Sequence, residues 1–395
     1  MPTVPHLAAV YLAIVQFCFA SMWTIYVIYL PQLLVKAGID IQWLRWILLA
    51  DQLVFILMDI SLGFATDKVQ RALGKLGGMI LGVSVLTCLS FLALPFIASY
   101  QQPSFLLILI FLWVVTSSAL RVPPLVLLGK HTAKPQLPLA VALQTVGLAL
   151  ASSIAPYLGT TLSNVAPEIP FFISSITLLI TVAGLIYVEK QLQDNSPQPD
   201  PPANIELSPT ILFILACFCA GIAFQAYSSF HSIPQLLKFA EKSDLPYLIP
   251  IFWIGFNLIM FPMNLLIERK GAFPVLILSS ALAAVIATIT TFADSLPQLL
   301  IAQFLLGGCW GSIFTASLTA SLNLGKTGKE GLVVGLWSSI FACAAFLRIG
   351  LLLSGWQETA SVKQGLAIFP SLFWICTTGL LIVAVLEYRR FTEKL

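Results

Sequence analysis

The sequence predicts an all-α polytopic membrane protein, with twelve transmembrane helices in two six-helix bundles. Three observations carry that expectation. The chain is 58% hydrophobic and only 9% charged, with a mean hydropathy of +0.95. A soluble domain carries roughly a quarter charged residues, and surface-to-volume scaling leaves it no room to hide this much apolar side chain. Apolar runs about as long as a bilayer is thick recur along the whole chain. Short motifs also repeat, at corresponding ends of those runs.

A spanning helix needs about 20 mostly apolar residues. The first six runs lie near 8–31, 44–65, 77–98, 105–128, 139–160 and 170–188. The second six lie near 209–232, 246–267, 274–293, 298–323, 332–354 and 366–387. Between the sets, Asp194-Asn195-Ser196-Pro197-Gln198-Pro199-Asp200-Pro201-Pro202 is the one long polar, proline-rich stretch and marks a linker. The predicted division is therefore residues 1–188, a linker at 189–208, and residues 209–395.

The repeat supports that division. Leu30-Pro31-Gln32-Leu33-Leu34 closes the first run and Ile233-Pro234-Gln235-Leu236-Leu237 closes the seventh. Gly63-x-x-x-Asp67-Lys68 follows the second, and Asn264-x-x-x-Glu268-Arg269 follows the eighth. Leu128-Gly129-Lys130 and Leu324-Gly325-Lys326 do the same for the fourth and tenth. Parallel repeats of six helices, related by an axis along the membrane normal, suit a two-bundle carrier.

Orientation follows from lysine and arginine. With both termini cytoplasmic, the inner segments carry Lys68, Arg71, Lys75, Lys130, Lys134, Lys190, Arg269, Lys270, Lys326, Lys329, Arg389, Arg390 and Lys394. The outer segments carry only Lys36, Arg45, Lys238, Lys242 and Lys363. That asymmetry fits the positive-inside rule with both ends inside; the expected location is a bacterial plasma (inner) membrane. The amino terminus has no basic region before its apolar run and no small-residue cleavage site, so the first run is expected to be a retained helix.

Other classes find little support. A net charge of +3 without a basic, aromatic-interleaved stripe gives nucleic acid no purchase. The seven cysteines, at 18, 88, 217, 219, 309, 343 and 376, lie inside apolar runs and read as small buried hydrophobes. No metal spacing emerges, no cofactor is expected, and His6, His131 and His231 are scattered, which argues against an enzyme. A phosphate loop for a primary pump is also missing. The expected partners are the lipid bilayer and a small-molecule substrate, for a chain expected to be monomeric.

Gly63-Phe64-Ala65-Thr66-Asp67-Lys68 resembles the start of the G-x-x-x-D-[RK] signature of the major facilitator superfamily, and Glu268-Arg269-Lys270-Gly271 resembles its degenerate second copy. The resemblance implies the major facilitator fold and alternating access. An acidic side chain at this helix end, facing basic residues of the same inner loop, would latch the bundles; Asp67, Lys68, Glu268 and Arg269 are thus candidate gate residues. Asp59-x-x-x-Gly63-x-x-x-Asp67-Lys68, followed by Gly74-Lys75, is also similar in spacing to the glycoside–pentoside–hexuronide cation symporters. That family's paired acid on the second helix would fall at Phe55, so the pair is broken here. A sodium ion would be left with Asp59, Ser61 and Thr116, a thin oxygen set.

Ionisable side chains inside the spans are costly, about 2.5–3.5 kcal/mol each, and need partners. Asp59 and Arg121 both lie roughly 10–12 Å above the inner ends of their helices, by rise per residue. They are expected to form a buried or coupling ion pair, and Pro123-Pro124, just below Arg121, are expected to loosen the fourth helix and free carbonyls nearby. Asp51 and Arg348 lie level near the outer side, and are expected to meet across the bundle interface as an outer gate that opens in the outward-facing state.

In the superfamily, the path is lined by the first, fourth, seventh and tenth helices. Here these carry Gln16, Trp23, Tyr26, Trp113, Arg121, Gln225, Tyr227, His231 and Trp310, which suit a sugar-like or amphipathic solute. Tyr29 and His231 could equally belong to an interfacial belt. Gly307, Gly308 and Gly311 are expected to serve helix packing. The expected function is secondary active transport, coupled to a proton or a sodium ion. Export of amphipathic compounds or organic anions, and a non-transporting assembly factor, are the alternatives.

Overall fold

In a computed structural model, residues 4–73, 76–194, 207–325, 328–359, 362 and 365–392 are described. Most of the expected linker, together with Gly74, Lys75, Lys326, Lys363 and Lys394, lies outside them. Among the described residues, twelve helices are long and apolar enough to cross a membrane. They are α1 (Val4–Lys36), α2 (Ile41–Val69), α3 (Leu76–Ser99), α4 (Pro103–Lys130), α5 (Lys134–Asn164) and α6 (Glu168–Asp194). The second six are α7 (Leu207–Leu236), α8 (Lys242–Lys270), α9 (Ala272–Thr291), α10 (Leu296–Gly325), α11 (Glu330–Ser354) and α12 (Phe369–Tyr388). An even count places both termini on one side, here called the termini face.

Several helix pairs approach closely through glycine, as suits helices where lipid competes equally for apolar side chains. In the first bundle α1 lies against α5, with Gly147 pressed on the backbone of Ala13. In the second, α8 and α10 approach twice, at Gly255 against Phe304 and at Gly307 against Phe252. None of these positions has room for a Cβ, so Gly307 serves packing. Large apolar side chains left outside, such as Leu57, Ile108, Ile180, Val285 and Ile301, face outward on spans, as lipid-facing residues do. All seven cysteines are free; four are buried, but Cys376 is exposed, which corrects the expectation for that residue.

Irregular turns in α4 and α7 bear on the site. In α4 the α-helix stops at Ser117, turns as a 3₁₀ segment over Ser118–Leu120, and restarts at Pro123. Pro123 and Pro124 bring no N–H, so the preceding turn tightens and places Arg121 at the break. In α7, Tyr227–His231 forms a π-helical turn. Such turns add a residue to the helix and often mark functional positions.

The bundles meet along two seams, α2 on α11 and α5 on α8. The α2–α11 seam is the tighter. A Cβ on Gly335 would stand 2.5 Å from the carbonyl oxygen of Asp59, and Gly63 and Gly331 touch backbone to backbone. Gly331, Gly335 and Ser338 lie four and three residues apart, one helical face turned to α2. At the far ends of the two helices, Arg45 donates to the Leu352 carbonyl at 3.3 Å.

Candidate transport path and inter-bundle gate

The termini face is closed by a carboxylate capping a helix of the other bundle. Asp67, buried at the end of α2, accepts from the backbone N–H of Gly331 at 2.8 Å and of Leu332 at 3.0 Å. These are first-turn amides of α11, unsatisfied within their own helix and positive by its dipole. Its bonds to α11 are made to backbone; the side chains of Arg71 and Lys75, basic residues of its own loop, lie outside the described residues. Lys68 is exposed and lies over the Phe64 ring of its own helix at 4.4 Å. Glu268 and Arg269 are exposed at the end of α8, so the second motif copy builds no matching cap. Inside the first bundle, Glu189 makes an analogous cap, accepting from Leu76 and Gly77 N–H at the start of α3.

Deeper in the same seam lies a charged trio. Arg121 Nε donates to Asp59 Oδ1 at 3.0 Å, and its Nη2 reaches Asp59 Oδ2 at 2.8 Å. Ser338 of α11 donates to Asp59 Oδ2 at 2.7 Å, and Arg121 Nη2 reaches the same hydroxyl at 3.3 Å. Phe55, the residue standing where a second acid would, has the guanidinium over its ring at 4.4 Å. Asp59 is fully buried, so this bidentate geometry offsets desolvation that a lone charge could not bear. Both oxygens are engaged. Ser61 is exposed, and Thr116 bonds back to carbonyls of its own helix, so the sodium set of Asp59, Ser61 and Thr116 is not assembled.

Asp51 and Arg348 do not pair in this conformation. Asp51 accepts from the Tyr26 hydroxyl at 2.9 Å, within the first bundle. Arg348 donates from Nη1 to Ser229 on α7 at 3.1 Å, within the second. Each has found a neutral partner on its own side of the interface.

The aromatic residues expected along the path divide into two groups. Trp23 stacks on Trp113 at 5.6 Å, with Tyr26 against both rings and Phe55 against Trp23. In the second bundle Trp310 stacks on Phe224 at 4.5 Å and meets Phe341 edge-on at 5.8 Å. Gln16 and Gln225 are half-buried. Tyr227 and His231 differ from the expectation. The π turn aims them into the second bundle, where His231 Nε2 lies 3.1 Å from Thr290 Oγ1 and Tyr227 is buried among Ser232, Thr290 and Gln303. Tyr29 bonds to the carbonyls of Leu162 and Val165 at the end of α5.

Sequence comparison decides the family. The pattern of the Major Facilitator Superfamily matches residues 12–256. The chain belongs to the Major Facilitator Superfamily. Among curated proteins none matches the chain by sequence. Solved major facilitator structures share its fold over nearly the whole length. The human organic anion transporter MFSD10 (TETRAN) superposes with a TM-score of 0.74 at 14% identity, covering 96% of this chain and 100% of that one. A bacterial homologue of the iron transporter ferroportin, in an outward-facing state, gives 0.76 at 13%, covering 96% and 99%. The Escherichia coli fucose:proton symporter FucP, in a variant form, gives 0.69 at 16%, covering 97% and 99%. The protein is thus an integral, multi-pass major facilitator transporter and not an enzyme.

Sequence reasoning passed over Ser338, Gly331 and Gly335, which complete the seam, and Ser229, Phe224 and Phe341, which surround Arg348 and Trp310. The first three were signalled by small residues at helical spacing on α11. The others carried no signal, because a phenylalanine or serine in an apolar helix is unremarkable until its neighbours are known.

Proposed function

We propose that the chain is a secondary active carrier that moves a small organic solute by alternating access, with both termini in the cytoplasm, and that the Asp59–Arg121–Ser338 trio couples transport to a proton. The bond from Ser338 to Asp59 supports this reading, because it joins a buried, charge-bearing site in one bundle to a helix of the other. Opening the termini face must break it along with the Asp67 cap. Protonating Asp59 would weaken its hold on Arg121 and Ser338 together and so favour opening. Proton coupling is preferred over sodium because both carboxylate oxygens are already engaged and the neighbouring hydroxyls are turned away. Likeness in fold to the fucose:proton symporter is in keeping with this. In the opposite conformation Asp51 and Arg348 would close on each other as the outer gate, and the aromatic walls around Trp23, Trp113 and Trp310 would flank the solute.

Purified protein in proteoliposomes, offered a panel of sugars, organic acids and dyes with and without an imposed pH gradient, tests the reading. Gradient-driven accumulation of at least one solute, lost in Asp59→Asn, is the expected result. Uptake by folded protein that ignores the gradient would remove the proton; no uptake of any solute would remove the carrier.

A further inference from the structure

Of the two arginines deep within the spans, Arg121 has a carboxylate and Arg348 has none. Within the described residues no acid lies within 4.0 Å of it; its one bond is to the Ser229 hydroxyl, and its buried Nε has no acceptor. A guanidinium at membrane depth needs a counter-charge or water. Arg348 is turned to α7, away from the exposed Leu347 beside it, so it does not face lipid. Two helical turns along the same stripe of α11 lies Phe341, about 10 Å away by rise per residue. Phe341 meets Trp310, which stacks on Phe224 of α7. Gln225, half-buried, stands next to Phe224. The second bundle therefore carries an uncompensated cation about two helical turns from an aromatic cluster in which Trp310 is buried and Phe224 and Phe341 are half-buried.

We infer that Arg348, with Ser229 beside it, receives the carboxylate of an amphipathic organic anion whose apolar body lies toward Phe224, Trp310 and Phe341. This rests on the carrier reading and names its substrate class. The guanidinium's planar fork suits a carboxylate, which would accept bonds that the protein leaves unmade. The aromatic faces take a flat apolar body without demanding particular hydrogen bonds. In the opposite conformation Asp51 would replace the carboxylate at Arg348 and so help to expel it.

The test measures thermal stabilisation of the purified full chain by ω-phenyl carboxylates from phenylacetate to 6-phenylhexanoate, each against its uncharged amide. The acids should stabilise more than their amides, with a maximum at intermediate chain length. Arg348→Gln should weaken acid binding by at least about tenfold and leave the amides unchanged, and Arg348→Lys should restore part of the difference. Because Arg348 has no acid partner to strand, the ligand-free Gln variant should melt no lower than wild type. Equal stabilisation by acids and amides in wild-type protein would overturn the assignment and needs no variant. Proteoliposomes that accumulate neutral solutes but none of the carboxylates would overturn it and leave the carrier reading standing. No transport of any solute would instead sink the carrier reading.

Discussion

The α2–α11 seam makes a quantitative prediction at Gly335. Its missing Cβ would stand 2.5 Å from the Asp59 carbonyl oxygen and 3.3 Å from Gly63 Cα, and ordinary contact begins at 3.4 Å. The obstacle is backbone on both sides, so a methyl group cannot be met by rotating a side chain. Gly335→Ala must therefore move α11 from α2 by about 0.9 Å, the shortfall from ordinary contact. A displacement of that size stretches the Asp67 bonds from 2.8 and 3.0 Å, and the Ser338–Asp59 bond from 2.7 Å, past hydrogen-bonding range. The Asp67 carboxylate recovers water when the face opens, so each bond is worth about 1–1.5 kcal/mol net. Losing two or three of them costs the closed state about 2–4 kcal/mol, a factor of about 30 to 1,000 in its population.

Spin labels at positions 134 and 268, both exposed on the termini face and one in each bundle, report the change directly. The Ala variant should show a longer inter-label distance as its main population, with unchanged helicity. Gly82→Ala, where nothing lies within 4 Å of the added methyl, should leave the distance at its wild-type value. A folded Gly335→Ala protein with the wild-type distance distribution would refute the reasoning, because the seam would then be softer than its contacts require.

Removing either member of the Asp59–Arg121 pair strands a buried charge, so Asp59→Asn or Arg121→Gln should each lower stability by about 3–5 kcal/mol, read by thermal unfolding in detergent. The double variant should recover most of that loss, and a double variant as unstable as the sum of the singles would show that the pair is not a unit. Ser338→Ala removes one bond to Asp59 and should lower fold stability by no more than about 1–1.5 kcal/mol, while shifting the label distance above toward the open value. His131, between α4 and α5, has its pKa pushed down to about 4 by burial and by the neighbouring Lys130 charge. The unfolded chain then binds a proton that the folded chain refuses, so stability should be flat above about pH 6.5 and fall as pH drops toward 4. His131→Gln should flatten that part of the profile; an unchanged slope would locate the titration elsewhere.

The fold was legible because its cause is one-dimensional: run length and composition report membrane spans without any knowledge of neighbours. The pairing of Asp59 with Arg121 could be anticipated from depth alone, since helical rise converts sequence position to height. Height was not enough for Asp51 and Arg348. They are level, but the direction in which each side chain points depends on helix rotation, and apolar-all-round helices carry no stripe that fixes it. The same gap explains Tyr227 and His231, which a π turn redirects into the second bundle. Nothing in the letters Tyr227-Ser228-Ser229-Phe230-His231 announces an extra residue in the turn.

The repeat also shows why only one copy of the loop motif closes a seam. At the first copy Gly63 lets α11 come into backbone contact, and that approach delivers the first-turn amides of α11 to Asp67. At the second copy the matching position is Asn264, a buried side chain that would hold a facing helix off, and Glu268 four residues on is left exposed. An acid at a helix end caps a foreign helix only where the backbones can meet, so the glycine is as necessary to the latch as the carboxylate. The closing energy of the termini face is accordingly concentrated at α2 and α11. That places the Asp59–Arg121–Ser338 trio, two turns deeper in the same seam, where loss of the Ser338–Asp59 bond has the most leverage over opening.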